Sequence, residues 1–226
     1  MFSPQQLLQK VNAHLDSLGY LHEPENLYQP VRYVLSMGGK RLRPVLMLMA
    51  YNLYRSDVDA ILDPACAIEM YHNFTLLHDD LMDRADVRRG KPTVHRRWND
   101  NTAILSGDVM LSLAMSHMTH VDDTRLRPVM DTFIRTTIEI DDGQQLDMDF
   151  EQRDDVTQAE YIEMIRLKTS VLLGCSMKIG ALLAGASDDD ADNLYKTGEQ
   201  MGLAFQLHDD YLDVYGDPAT FGKKVG

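Results

Sequence analysis

The sequence predicts an all-helical fold in which long helices form a bundle around a deep central cavity. Apolar residues recur with helical spacing along most of the chain, whereas Val, Ile and Thr nowhere form alternating, strand-like runs. Fourteen methionines and scattered leucines also favour helix, because unbranched side chains keep rotamer freedom there. No linker-like or low-complexity stretch interrupts the 226 residues, so we expect a single domain over residues 1–226.

The helical periodicity and its interruptions predict eight helices. They cover residues 4–18, 27–36, 43–55, 64–83, 99–119, 126–150, 157–185 and 189–215. The breaks fall at residues that form turns and caps. The pair Gly38-Gly39 ends one helix, Asp63 is expected to cap the helix that Pro64 opens, and residues 90–92 are expected to form a loop. Residues 187–190 start the last helix.

The net charge of −13 argues against nucleic acid as a partner, because phosphate binding needs a basic surface. An anionic ligand would therefore need a local basic cluster or a divalent metal. The two cysteines, Cys66 and Cys175, lie in apolar surroundings and are predicted to be buried and reduced. The N-terminus lacks the features of a signal peptide, and no apolar run approaches the roughly 20 residues of a membrane span. We expect a cytoplasmic protein without a membrane span.

Two acidic motifs are near-identical. Residues 77–83 (Leu-His-Asp-Asp-Leu-Met-Asp) reappear as residues 207–213 (Leu-His-Asp-Asp-Tyr-Leu-Asp), with five of seven positions identical. In each motif the first and last Asp are one helical turn apart and share a face, while the middle Asp is rotated by about 100°. A single motif of this kind is more often a solvated face. Two copies in apolar helices indicate Mg²⁺ sites, and if they faced each other they would hold several metals around a diphosphate.

Two basic clusters stand out in this acidic chain. Lys40 and Arg43 follow Gly38-Gly39 at the start of a predicted helix, where backbone N–H groups also favour anions. Arg88 and Arg89 follow the first acidic motif by five residues, and arginine forks suit phosphate oxygens. A lone basic pair is usually solvated surface. Two clusters indicate two diphosphate sites, one using metal and the other using Lys and Arg directly.

Taken together, these motifs resemble the trans-polyprenyl diphosphate synthases, which include farnesyl and geranylgeranyl diphosphate synthases. The resemblance covers Gly39 to Pro44, Asp79 to Asp83, Arg88 to Gly90, Gly143 to Asp147, Lys168-Thr169 and Phe205 to Asp213, in family order. It implies the isoprenoid-synthase helical bundle and a homodimer. Relatives continue for several more helices beyond the second motif, so we expect this chain to lack the family's C-terminal helices.

The resemblance also implies a role for individual residues. Asp79, Asp83 and Asp209 match ligands of three Mg²⁺ ions. Arg88 matches a residue that binds the allylic diphosphate, while the isopentenyl diphosphate site is matched by Lys40, Arg43, His72 and Arg89. Residues near the allylic substrate are matched by Lys168, Thr169, Gln206 and Lys223. Lys168 and Lys223 would hold its diphosphate, and Thr169 and Gln206 would face the developing carbocation.

The implied reaction joins isopentenyl diphosphate to an allylic diphosphate. Mg²⁺ stabilises the leaving diphosphate, an allylic cation forms in an apolar cavity, and the double bond of isopentenyl diphosphate attacks it. The growing chain is expected to run beside the helix that carries Asp79. In the family, bulky residues four and five positions before the motif close the pocket for farnesyl products. Here Thr75 is small and Phe74 is aromatic, with Tyr71 one turn further, which predicts a C15–C20 product with C20 preferred.

Several other classes of protein have motifs that partly match this sequence. A terpene cyclase shares the fold class, but its second metal motif usually mixes Asn or Asp with Ser or Thr and Glu. An HD-type phosphohydrolase would use His78-Asp79, whose side chains point about 100° apart on a helix. A di-iron bundle needs two Glu-x-x-His motifs, and only Glu69 to His72 forms one. A non-catalytic partner subunit that binds a prenyl diphosphate would commonly have lost an acidic motif.

Overall fold

A computed structural model describes residues 1–215 of the chain, and these residues are almost entirely helical. The helices are α1 Pro4–Ser17, α2 Glu25–Ser36, α3 Leu42–Asn52, α4 Leu62–Met82, α5 Val94–Arg97, α6 Asp100–Met118, α7 Asp123–Phe150, α8 Gln158–Ile165, α9 Val171–Ala184 and α10 Asp188–Tyr215. Two short strands, β1 Val87–Arg88 and β2 Lys91–Pro92, form one hairpin. The predicted all-α class is confirmed.

The chain divides into two compact units, of which the first is Met1–Arg127 and the second begins at Pro128. The expectation of a single domain stays a prediction. In the first unit, α1 starts with a capping box, in which the Ser3 hydroxyl accepts from the Gln6 N–H and the Gln6 side chain accepts from the Ser3 N–H. Its apolar face of Leu7, Val11 and Leu15 is fully buried, and α1 packs on α3 and α4.

The central helix of the first unit, α4, packs along α6, and Gly107 allows the close approach of the two. A Cβ atom on Gly107 would lie 2.1 Å from His78 Nε2, so no larger residue fits unless His78 moves. The His78 ring also contacts the Ile104 carbonyl oxygen at 3.2 Å. This packing fixes the half of α4 that carries the first acidic motif.

Two local predictions are wrong in the first unit. The 3₁₀ turn Val58–Ile61 leads directly into α4 at Leu62, so Asp63 lies in the first helical turn and is not its N-cap. The carboxylate of Asp63 instead contacts His14 and His120, which are distant in sequence. Residues 90–92, expected to form a loop, belong to the hairpin, because Arg89 and Gly90 both adopt positive φ and make its two-residue turn.

In the second unit, the predicted helix over 157–185 is one rod with an irregular turn inside it. Thr157 and Glu160 form a capping box at its start. Between α8 and α9 lies a π-helical turn, Arg166–Ser170, which the periodicity did not predict. Glycines let neighbouring helices approach closely: a Cβ on Gly143 would lie 2.4 Å from the Lys168 nitrogen, and one on Gly202 would lie 2.6 Å from the Ser170 Cα.

The segment Gln158–Ala184 is long and apolar enough to cross a membrane, judged by length and composition, with a mean hydropathy of 1.4 in its most apolar window. Length and composition alone do not distinguish a membrane span from a buried core helix, so the expected absence of a span stays a prediction. Of that window, 72% is buried inside the structure, as in a core helix, so a single segment of this kind is weak support for a membrane span. Cys66 and Cys175 are both free and buried, as predicted, and burial raises the pKa of the Cys175 thiol to about 12.

Candidate active site

The first acidic motif lies at the C-terminal end of α4. Asp79 and Asp80 are in the last turn, and Asp83 is the C-cap, whose N–H donates to the Asp79 carbonyl at 2.9 Å. Asp79 and Asp83 are therefore one turn apart, as the spacing predicts. Asp83 is exposed, Asp79 is half-buried and Asp80 is buried. The three carboxylates of one motif thus have different environments.

The middle carboxylate, Asp80, positions Arg88. The Arg88 Nε donates to both carboxylate oxygens of Asp80 at 2.8 Å, and its Nη2 lies 3.4 Å from the Asp79 Oδ2. Burial raises the pKa of Asp80 above its ordinary value, although its hydrogen bonds from Arg88 act in the opposite direction. The spacing of the motif indicated no function for Asp80. The structure shows that it holds a predicted diphosphate-binding arginine beside the metal motif.

The two arginines of the hairpin, Arg88 and Arg89, contact different partners. Arg88 ends β1 and reaches the acidic motif, whereas Arg89 occupies the turn with φ of 52°. The Arg89 Nη1 donates to the Gly38 carbonyl, in the loop before α3. One two-residue turn therefore places one guanidinium at the carboxylates and the next one at the glycine loop.

Around that loop the structure brings together three of the four residues predicted for isopentenyl diphosphate. Arg43 Nη1 lies 3.1 Å from the His72 Nε2, and Arg89 is close enough to lower the pKa of Arg43. Burial, followed by Arg43 and Arg89, holds the pKa of His72 well below its ordinary value, so its ring is neutral and accepts from Arg43. Burial is the largest cause of the lowered pKa of Arg43, which falls to about 10, and the charge of Arg89 is a smaller one. Lys40 is exposed at the same loop.

A buried ion pair that the sequence analysis missed anchors this loop to α4. Arg41 has a left-handed backbone with φ of 48°, and its Nη1 donates to the Glu69 Oε1 at 2.6 Å. Its Nη2 donates to the Leu35 carbonyl, and Asn73 donates to the same Glu69 oxygen. Removing one partner of a buried pair leaves an uncompensated charge, so this pair fixes the loop geometry firmly. A Glu inside an otherwise apolar helix was the available signal.

Gly39 gives a test of the loop geometry. A Cβ at Gly39 would lie 3.1 Å from the Arg89 guanidinium, whereas a Cβ at Gly38 meets nothing within 4 Å. Both residues have positive φ, so alanine strains the backbone at either position. The resemblance implies that this loop binds isopentenyl diphosphate, so we expect Gly39→Ala to raise the KM for that substrate about tenfold more than Gly38→Ala, since it displaces a charged donor. Steady-state kinetics checks this, and equal effects of the two variants would contradict it.

In the second unit, the π-helical turn carries Lys168 and Thr169. A π turn inserts an extra residue, and such turns often occur at functional sites. The Lys168 Nζ donates to the Asp147 Oδ2 of α7 at 2.5 Å. The close approach at Gly143 brings α7 against this turn and so sets the position of both residues.

The second acidic motif lies on α10, where a chain of side chains joins it to the π turn. The Thr169 hydroxyl donates to the Gln206 Oε1 at 3.3 Å, and the Gln206 Nε2 donates to the Asp210 Oδ1 at 2.8 Å. Tyr161 also donates a short hydrogen bond to the Asp210 Oδ2. Burial, followed by the contact with Asp210, raises the pKa of Tyr161, so it remains a donor. Thr169 and Gln206, predicted to act together, are in contact.

The two motifs share one arrangement. Their middle carboxylates, Asp80 and Asp210, are each held by two hydrogen bonds from neighbouring side chains. No residue within 1–215 donates a hydrogen bond to the side chain of Asp209, which is half-buried. Asp79, Asp83 and Asp209 offer hard carboxylate oxygens and so fit Mg²⁺ in donor chemistry.

The residues predicted to set product length form an aromatic row on α4. The ring centroids of Tyr71 and Phe74 are 5.6 Å apart, and those of Phe74 and His78 are 4.8 Å apart. Tyr71 is fully buried and Phe74 half-buried. The Thr75 hydroxyl donates to the His72 carbonyl one turn back. Their role stays a prediction. Lys223 lies outside the described residues.

Comparison with known proteins shows which family this chain is similar to. Residues 24–226 match the polyprenyl synthetase family. A geranylgeranyl diphosphate synthase of Methanosarcina mazei is 45% identical over 96% of this chain and 67% of its own length. A short chain isoprenyl diphosphate synthase of Methanocaldococcus jannaschii is 38% identical over 100% of this chain and 68% of its own. The chain thus spans about two thirds of the length of these relatives.

Solved structures show the same similarity. A crystal structure of geranylgeranyl pyrophosphate synthase superposes with a TM-score of 0.96 at 49% identity, covering all of this chain and 69% of the other. A heptaprenyl diphosphate synthase from Staphylococcus aureus superposes with a TM-score of 0.90 at 28% identity, covering 99% of this chain and 70% of the other. The motifs, the fold and these matches together show that the chain belongs to the polyprenyl synthetase family.

Proposed function

We propose that this chain is a short-chain trans-prenyltransferase, which condenses isopentenyl diphosphate with an allylic diphosphate to give a C15–C20 prenyl diphosphate and pyrophosphate. The observation that carries the proposal is that the two arginines of the hairpin contact two different sites. Arg88 is bound to the acidic motif, and Arg89 is bound to the glycine loop beside Arg43 and His72. The first unit therefore offers a carboxylate site and a separate cationic site, which suits a reaction between two diphosphates.

The carboxylates would hold Mg²⁺, through Asp79, Asp83 and Asp209, and the metal when bound supplies charge stabilisation to the leaving diphosphate. Asp80 holds the Arg88 guanidinium in place, so that its remaining N–H groups can bind the same diphosphate. Lys168 adds a cation in the second unit. Thr169 and Gln206 present hydroxyl and amide oxygens that would stabilise the developing allylic cation.

The second substrate is bound differently in this proposal. Arg43, Arg89 and Lys40 bind the diphosphate of isopentenyl diphosphate by direct charge-assisted hydrogen bonds. Neutral His72 accepts from Arg43 and so orients its guanidinium without adding charge. Holding this diphosphate in place orients the double bond toward the cation, which is catalysis by positioning. No side chain needs to act as a strong base, because the released diphosphate can take the proton.

The direct test is product analysis with the purified full chain. Radiolabelled isopentenyl diphosphate is supplied with dimethylallyl, geranyl or farnesyl diphosphate and Mg²⁺, and the dephosphorylated products are separated by chain length. We expect incorporation with at least one starter and a main product of C20. Absence of incorporation with every starter would contradict catalysis and would favour a non-catalytic binding subunit.

Phe74 is proposed to form part of the floor of the product pocket. Phe74→Ala removes a ring that packs between Tyr71 and His78. The cavity left by such a change is only partly refilled, so we expect longer products, extended by one isoprene unit or more. Thr75→Ala, a small change at the adjacent position, is the matched control and should leave the length distribution nearly unchanged. An unchanged distribution for Phe74→Ala, or wild-type products of C30 or longer, would contradict the proposal.

A homodimer is also proposed. Helix α6 exposes Ile104, Leu105 and Met115, and helix α7 exposes Ile134, Ile138 and Met148. Rows of exposed large apolar residues on long helices are typical of surfaces that bind another protein. Light scattering of the purified chain gives the mass in solution, and a monomer at all concentrations would contradict this proposal.

A further inference from the structure

A cluster of three histidines and one aspartate lies at the opposite end of α4 from the acidic motif. Asp63 is in the first turn of α4, His117 is in the last turn of α6, and His120 follows α6. His14 of α1 completes the cluster. Asp63 and Asp79 are 16 residues apart on one helix, which separates them by about 24 Å. The proposed prenyl transfer uses none of these four side chains.

The ligand atoms have the spacing of a metal site. One atom each from Asp63, His117 and His120 lie within 4.8 Å of one another. The Asp63 carboxylate is 3.5 Å from the His117 Nδ1 and 2.9 Å from the His120 Nδ1. Ligands of a tetrahedral zinc ion, each bound at about 2.0–2.1 Å, are separated by about 3.3 Å. Small side-chain shifts would therefore bring these atoms to a zinc ion.

The buried Nδ1 atom of His117 points to a cation in the cluster. The Tyr20 hydroxyl lies 2.9 Å from the His117 Nε2 and 3.9 Å from the Met70 Sδ, so it holds the ring with the Nδ1 on the other side. The His117 Nδ1 is buried and has no hydrogen-bond partner among residues 1–215. It faces the Asp63 carboxylate. A buried polar atom without a hydrogen-bond partner is destabilising, and a metal ion bound by both groups would satisfy it.

The surrounding side chains form the outer layer that zinc ligands usually have. Tyr20 fixes the His117 ring through the nitrogen that faces away from Asp63, and His14 contacts the Asp63 Oδ1 at 2.7 Å. His120 is 53% exposed, which leaves an entry path for an ion.

We propose that Asp63, His117 and His120 bind one Zn²⁺ ion per chain, with His14 as a positioning residue for Asp63. The donor set favours this ion, because two imidazoles and one carboxylate suit Zn²⁺, whereas Mg²⁺ prefers oxygen ligands alone. The site would clamp the C-terminal end of α6 to the start of α4, with α1 held by His14. Its role is structural, separate from the Mg²⁺ of the proposed reaction.

The test is equilibrium dialysis of the metal-stripped full chain against Zn²⁺ with excess Mg²⁺, followed by zinc quantification. We expect one zinc per chain and a melting temperature raised by roughly 5 °C. His120→Ala should weaken zinc binding at least about 100-fold, and His14→Ala about tenfold. His22→Ala, at an exposed histidine outside the cluster, is the matched control and should bind zinc like the wild type.

Two further measurements test whether the zinc site is separate from the acidic motifs and whether the bound ion is four-coordinate. The double variant Asp79→Ala/Asp209→Ala should retain one zinc, which separates this site from the acidic motifs. Substitution with Co²⁺ should give the intense visible absorption of a four-coordinate ion, and His120→Ala should abolish it. Because His120 is largely exposed, its loss should not unfold the chain. The proposal is overturned if no zinc binds under dialysis, if His120→Ala binds zinc normally, or if the double variant loses the zinc.

Discussion

Asp79→Ala and Asp209→Ala are each expected to lower kcat by about a thousandfold or more, while the far-ultraviolet circular dichroism stays that of a helical protein. Each change removes a carboxylate that the proposed reaction needs for Mg²⁺, and stabilising the leaving group is the largest catalytic contribution in such a reaction. Neither change breaks core packing, because both side chains are only half-buried. Turnover of isopentenyl diphosphate by each variant, measured at saturating substrate, checks the prediction.

The control for this prediction is Asp108→Ala, which removes an exposed carboxylate from α6 and should keep wild-type turnover. EDTA should abolish wild-type activity, and Mg²⁺ or Mn²⁺ should restore it. Full turnover in EDTA, or an Asp209→Ala variant as active as Asp108→Ala, would show that the acidic motifs do not act through a metal.

Gly143→Ala is expected to lower kcat/KM for the allylic substrate by about a hundredfold. Its Cβ would lie 2.4 Å from the Lys168 nitrogen, a backbone atom that cannot turn aside as a side chain can. The π turn must therefore shift, and a displacement of about 1 Å at a catalytic group can lower a rate a hundredfold. Overpacking should also lower the free energy of unfolding by about 1–3 kcal/mol.

Gly198→Ala separates these two effects. Its Cβ would lie 2.8 Å from the Gly174 backbone, where α10 packs on α9 away from Lys168. It should destabilise the chain to a similar extent but keep its allylic kcat/KM at a temperature where both variants are folded. Thermal melts and allylic kinetics of the two variants give the answer. If Gly198→Ala loses as much activity as Gly143→Ala, the effect belongs to stability and not to the π turn.

Much of the fold could be predicted from the sequence, because the long helices bury regular apolar faces and end at residues with clear local preferences. The Asp63 N-cap was wrong for a physical reason. Its local preference for a cap was outweighed by contacts with His14 and His120, which are 49 and 57 residues away. The π turn was missed because one inserted residue barely alters a hydrophobic period over the 27 residues of Gln158–Ala184.

The candidate site was predictable as a set of residue types but not as a set of contacts. Spacing placed Asp79 and Asp83 on one face, and the family resemblance indicated His72, Arg43 and Arg89. The positioning role of Asp80 depends on the hairpin that returns Arg88 to α4, and the pair Arg41–Glu69 depends on a left-handed backbone at Arg41. Sequence periodicity contains neither of these tertiary arrangements.

The most direct test of the central claim is the stoichiometry of pyrophosphate release by the purified chain with Mg²⁺. Our account predicts that pyrophosphate appears only when both isopentenyl diphosphate and an allylic diphosphate are present, with one pyrophosphate released for each isopentenyl unit incorporated. Release of pyrophosphate from the allylic substrate alone, with no incorporation of isopentenyl diphosphate, would contradict the account and would identify a cyclase or hydrolase.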